Sequence, residues 1–159
     1  MRLPYISNEL DGIGGKIKKK AEYFKVEEIL LYEPSGEGDH IFVNLTKEEI
    51  TSQDLQKSLA HIFKIKLRDV GLAGMKDKES VSTQTFSLLL KEDVDNVKRK
   101  IESNLNIKVN WAKRHKNKLK VGHLLGNKFK IIIADLDFST KETLKRTKKI
   151  IAFLDEKGI

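Results

Sequence analysis

The sequence predicts an α+β domain: a largely antiparallel sheet with helices packed on one face. Segments that alternate apolar and polar residues come in pairs, and each pair is followed by a stretch with apolar residues at helical spacing. The resulting order is β-β-α-β-β-α-β-β-α. Its middle, β-α-β-β-α-β, is the ferredoxin-like order. Size agrees, since 159 residues with 39% hydrophobic content suffice for one ordinary domain with a real core.

The elements follow in order. Residues 1–15 are glycine-rich, ending in Gly12-Ile-Gly-Gly15, and read as an irregular opening segment; the domain proper is expected over residues 16–159. Lys16 to Leu31 reads as extended. Glu33 to Asp39 is a turn, with Pro34, Gly36 and Gly38 at its special backbone positions. His40 to Leu45 alternates, so the two extended segments are expected to form a hairpin. Thr51 opens a helix with Asp54 in the capping-box position, and Leu55, Leu59, Ile62 and Phe63 stripe it. Val70–Ala73 and Val81–Leu90 are strands flanking a turn at Asp77. Val94, Val97, Ile101 and Leu105 mark a second helix. Ile107 to Lys113 alternates, with Val109 and Trp111 expected on one face. A loop and a strand from Lys128 to Ile133 follow. Ser139 with Glu142 caps a third helix, striped by Leu144, Ile151 and Leu154.

Charge is unevenly placed. The net charge is +8, yet residues 1–90 carry 13 basic and 14 acidic residues, whereas residues 91–159 carry 18 and 9. From Lys108 to Lys130 there are eight Lys or Arg and no Asp or Glu, interleaved with Trp111, His115, His123 and Phe129. Such a run is either a solvated face or a surface for phosphate contact and base stacking, and the absence of acids favours nucleic acid. The chain has no Cys, which excludes disulfides and thiolate metal sites. The four histidines show no metal-ligand spacing, so no metal is expected. Met1-Arg-Leu-Pro-Tyr5 lacks a signal-peptide core and no apolar run is long enough for a membrane helix, so a cytoplasmic protein is expected.

The segment Gly71 to Gln84 is the most informative. A glycine-rich approach delivers Asp77 between Lys76 and Lys78, and a β-prone run follows. Asp in such a place is either a turn residue that bonds local backbone or an acid kept ionised by neighbouring cations.

Gly74-Met-Lys-Asp-Lys-Glu-Ser-Val-Ser-Thr-Gln84 resembles the G-x-K-D-K/R-x-A-V-T-x-Q signature of the TruD-type tRNA pseudouridine synthases. Arg114-His-Lys-Asn-Lys-Leu-Lys-Val-Gly-His-Leu-Leu-Gly-Asn-Lys-Phe129 resembles their R-H-x-x-K-L-R/K-x-G-x-L-x-G-N-x-F signature, and Tyr23-Phe24-Lys-Val-Glu-Glu28 their D-F-x-V-x-E strand. Ser80 and Ser82 replace the family's usual Ala and Thr. The resemblance implies isomerisation of a uridine in RNA to pseudouridine with no cofactor. Asp77 would be the catalytic acid. Phe24, Asn127 and Phe129, with Lys76 and Gln84, would hold the base, and Arg114, His115, Lys116, Lys118 and Lys120 the RNA backbone. The partner would be RNA, of the tRNA class. The resemblance also implies that this is the N-terminal part of the catalytic domain, without the family's insertion domain and C-terminal half, either as a fragment or as a split product that a further C-terminal chain completes. A non-catalytic RNA-binding module is the alternative.

Overall fold

The computed structural model describes residues 6–158; the first five residues of the expected irregular segment lie outside them. The described residues divide into two compact units, one of residues 20–131 and one of residues 6–19 with 132–158. Neither boundary falls at residue 15, where the glycine run places the end of an opening segment.

The larger unit holds β1 (Phe24–Leu30), β2 (His40–Lys47), α1 (Ser52–Ile62), β3 (Val70–Leu72), β4 (Val81–Leu89), α2 (Val94–Asn104), β5 (Lys108–His115) and β6 (Leu124–Ile131). With α3 (Thr140–Glu156) of the smaller unit, the element order is the one read from the sequence. The sheet runs β5-β2-β4-β1-β6, with β3 also paired to β4. Its β5-β2-β4-β3 part is wholly antiparallel, with β4 inserted between β2 and β3. That is the split βαβ of the ferredoxin-like arrangement.

Four details differ from the sequence reading. The expected hairpin of β1 with β2 does not form, because β4 lies between them and β1 pairs with β4 in parallel. Extended structure begins only at Phe24, after a 3-10 turn at Ala21–Tyr23. Val109 and Trp111 do not share a face. The register shifts between Asn44 and Leu45, which pair with Trp111 and Val109, so Asn110 is an extra residue in β5. This bulge sends Val109 into the main core and leaves Trp111 against the small cluster of Phe42, Ala73 and Leu119. In addition, β6 starts at Leu124 rather than Lys128.

The main core lies on one face of the sheet. Ile41, Val43 and Leu45 of β2, Phe86 and Leu88 of β4, and Val109 of β5 pack against Leu55, Leu59 and Phe63 from α1 and its end, and Val97 and Ile101 from α2. Each such side chain contributes roughly 1.5–3 kcal/mol on burial. Both helices therefore cover this face. The capping expected for α1 is present: Thr51 Oγ1 accepts from the Asp54 N–H at 3.0 Å and donates to Asp54 Oδ2 at 2.7 Å.

In the smaller unit, Lys16 and Ala134 form a β-bridge, and Ser139 caps α3 by accepting from the Glu142 N–H. Arg146 lies 3.9 Å over the Phe138 ring and bonds Glu142 at 2.9 Å. Among the described residues no helix is long and apolar enough to cross a membrane.

Candidate active site

Strand alternation sorts the candidate residues by face. In β1, Phe24, Val26 and Glu28 share a parity, and the antiparallel register sets Phe129 opposite Val26 and Asn127 opposite Glu28. Phe24 and Phe129 meet edge to face, with ring centroids 6.0 Å apart. In β4, Ser82 pairs with Val26 and Gln84 with Leu45, a core residue. Phe24, Asn127, Phe129 and Gln84 thus all lie on the face that carries α1 and α2. Asn127 is exposed and Phe129 is 55% exposed, whereas Gln84 is fully buried.

The loop between β3 and β4 is bound from beneath by buried polar groups. The Lys76 N–H donates to Ser52 Oγ at 2.9 Å, and Ser52 Oγ donates to Gln84 Oε1 at 2.7 Å. Gln84 Nε2 donates to the Gly74 carbonyl. The Asp77 carbonyl accepts from Ser80 Oγ at 3.0 Å and from Lys47 Nζ at 3.4 Å. Ser80 is one of the two departures from the family signature, and its hydroxyl supplies a bond that alanine cannot. Above these anchors Asp77 itself is exposed.

Lys76 points inward. Its Nζ lies 2.8 Å from Glu28 Oε2, and Glu28 Oε1 accepts from the Thr85 N–H at 3.2 Å. Lys47, which is 1% exposed, reaches the loop instead, through the Asp77 carbonyl. Burial, and then the charge of Lys76, lower the Lys47 pKa to about 8 against the opposing pull of Asp77.

Lys47, Ser52 and Glu28 are the polar groups that the sequence reading did not select. Glu28 carried a signal, because it shares the strand parity of Phe24 and Val26 and so had to face the core side. Lys47 and Ser52 carried none.

The basic run does not form one stripe, because β5 and β6 are opposite edges of the sheet. Arg114 is half-buried, and its guanidinium donates to the carbonyls of Gly38, Leu90 and Glu92. His115 stacks on Tyr32 with centroids 5.1 Å apart, and its Nδ1 accepts from the Ser35 N–H at 3.1 Å. Burial, and then Lys116, push its pKa down. Lys116 pairs with Glu37 at 2.7 Å, and Lys118 donates to the Arg68 carbonyl. Lys120 is exposed. Lys128 and Lys130 on β6 stand opposite Glu27 and Lys25. Among the described residues no group of three His, Cys, Asp or Glu is arranged to hold a metal ion.

A ferredoxin-like sheet with an exposed aspartate on a pinned loop, which Lys76 ties to Glu28 of β1, defines the class as an α+β protein with a candidate acid on a strand connection. The family model for tRNA pseudouridine synthase D (TruD) matches residues 2–159, and the chain belongs to that family. It is 39% identical over 155 residues to tRNA pseudouridine synthase D of Geobacter metallireducens, covering 98% of this chain and 37% of that protein. It is 33% identical over 158 residues to a Thermus thermophilus protein of the same description, covering 99% and 43%. The crystal structure of a tRNA pseudouridine synthase D from Methanosarcina mazei superimposes with a TM-score of 0.85 at 28% identity, over 98% of this chain and 35% of that one. The chain therefore spans well under half the length of these relatives.

Proposed function

We propose that this chain supplies the catalytic aspartate and part of the base pocket of a tRNA pseudouridine synthase. The observation that carries the reading is the loop of Gly74 to Ser80: its backbone is tied down by Ser52, Gln84, Ser80 and Lys47 while Asp77 stands exposed. An acid fixed in this way can act repeatedly on one atom of a bound substrate. Phe24 and Phe129 offer ring faces to a uracil taken out of its stack, and the Asn127 amide offers a donor and an acceptor for its edge. The reaction is an isomerisation. Asp77 attacks the ribose or removes a ribose proton, the bond from C1′ to N1 breaks, and the uracil turns and rejoins through C5. The C5 proton is lost and N1 gains one, so no redox partner or cofactor is called for.

The RNA partner is of the tRNA class, and the protein works in the cytoplasm. The exposed β6 edge, with Phe129 and Ile131 open on one face, suits pairing with a further C-terminal chain. The test is Asp77→Asn in a protein that joins this chain to the remaining length of its relatives, assayed on unmodified tRNA by carbodiimide mapping. Product formation should vanish while tRNA affinity stays within a few-fold. Substantial turnover by the variant would overturn the assignment.

A second reading is favoured by the exposure of Lys108, Lys113, Lys116, Lys120, Lys128 and Lys130. In it the chain binds RNA without catalysis, through the exposed cations of residues 108–130.

A further inference from the structure

We propose that Lys47 is the positioning residue of the Asp77 loop, holding that loop in shape only while its side chain carries a proton. Lys47 ends β2, is 1% exposed, and donates to two carbonyl oxygens, that of Ile50 at 2.8 Å and that of Asp77 at 3.4 Å. Those carbonyls belong to separate segments, the approach to α1 and the candidate catalytic loop. One ammonium therefore ties the two together across the start of β4, where Lys47 pairs with Ser82.

The arrangement is unusual for a buried lysine. Lys47 bonds to carbonyls, whereas the neighbouring Lys76 has a carboxylate partner in Glu28. The charged groups acting on Lys47 are Lys76, which opposes its charge, and Asp77, which favours it; Ser82 across the strand pair is neutral. With burial as the largest effect, its pKa falls to about 8 from an ordinary 10.5.

Between about 8 and 10.5 the unfolded chain holds the proton more tightly than the folded one, so this group makes the fold more stable as pH rises. Loss of the same proton weakens two carbonyl bonds, one of which holds the loop. Global stability and loop order therefore move in opposite directions. A lysine kept merely for packing would not produce that split.

The functional meaning rests on reading Asp77 as the reacting acid, but the test does not. The backbone amides of residues 74–80 are followed by NMR from pH 6.5 to 9.5 in the 159-residue chain, with Lys47→Arg and Lys47→Met alongside. In the unaltered chain these amides should titrate together with a midpoint near 8. Lys47→Arg, which stays charged throughout, should be flat over that range. Lys47→Met should exchange its loop amides at least tenfold faster at pH 7 while its melting temperature holds or rises. A flat profile in the unaltered chain would overturn the proposal. So would a titration that survives in Lys47→Arg, or a loop in Lys47→Met as protected as before. Retained pseudouridine formation by Asp77→Asn would remove the catalytic reading and leave these outcomes untouched.

Discussion

The ammonium of Lys76 and the carboxylate of Glu28 lie 2.8 Å apart, 48 residues apart in the chain, with their side chains almost wholly buried. The pair joins the candidate catalytic loop to β1, the strand that carries Phe24.

Removing one partner should therefore cost far more than removing both. Glu28→Gln or Lys76→Met alone leaves a buried charge uncompensated, with an expected loss of about 3–5 kcal/mol. The double variant should recover much of that. Denaturant unfolding of the four proteins, treated as a double-mutant cycle, measures the coupling. Additive single effects would show that the two groups do not depend on each other.

Ser80→Ala removes one of the two donors to the Asp77 carbonyl. A modest destabilisation of about 0.5–1.5 kcal/mol is expected, with faster amide exchange confined to the loop. Exchange that rises evenly through the sheet would contradict this local role.

Much of this site was legible in the sequence, and the rest was hidden for a physical reason. Thr51 with Asp54, Ser139 with Glu142, and the stripes of α1 and α2 are local patterns, and local patterns survive without knowledge of the fold. Family signatures selected Phe24 and Phe129, while the face they share follows from the register of β1 with β6. The burial of Lys47 and Ser52 depends on which strands become neighbours. Lys47 sits in a Lys-Glu-Glu run that reads as surface, and only the crossing of β4 beside β2 encloses it. The displaced Trp111 has the same origin, since one extra residue in β5 breaks the alternation on which the reading relied.

Acid should loosen the turn between β1 and β2. The folded state keeps His115 neutral, because its Nδ1 accepts from the Ser35 N–H and burial lowers its pKa below 6.5. The unfolded chain takes up that proton first, so the stability this group supplies is lost as pH falls from 6.5 through the lower folded value. His115→Gln should flatten that part of the pH–stability curve. An unchanged slope would assign the acid sensitivity to other groups.

Replacing Lys116, Lys118 and Lys120 by Ala should weaken tRNA binding and reduce its salt dependence by roughly 0.7–0.9 in slope for each phosphate no longer neutralised. The bonds of Lys116 to Glu37 and of Lys118 to the Arg68 carbonyl compete with phosphate, so the single Lys120→Ala change should account for the largest share. Binding isotherms at several salt concentrations decide this, and identical slopes in all variants would mean that none of the three touches the backbone.

Strand β1 meets β6 along seven register pairs but meets β4 along only three, Lys25 with Val81, Val26 with Ser82 and Glu27 with Thr83. The β1–β6 ribbon is thus a flap on a short hinge line, latched to the loop by Glu28. Phe24, Asn127 and Phe129 ride on the flap, while Asp77 rides on the ferredoxin-like body. The distance between the candidate acid and the candidate base-holding groups is then an adjustable quantity. A partial opening that moves only Val26 out of the buried apolar set would still take the candidate pocket apart, and the flap, rather than the body, would be the first unit to lose protection on warming.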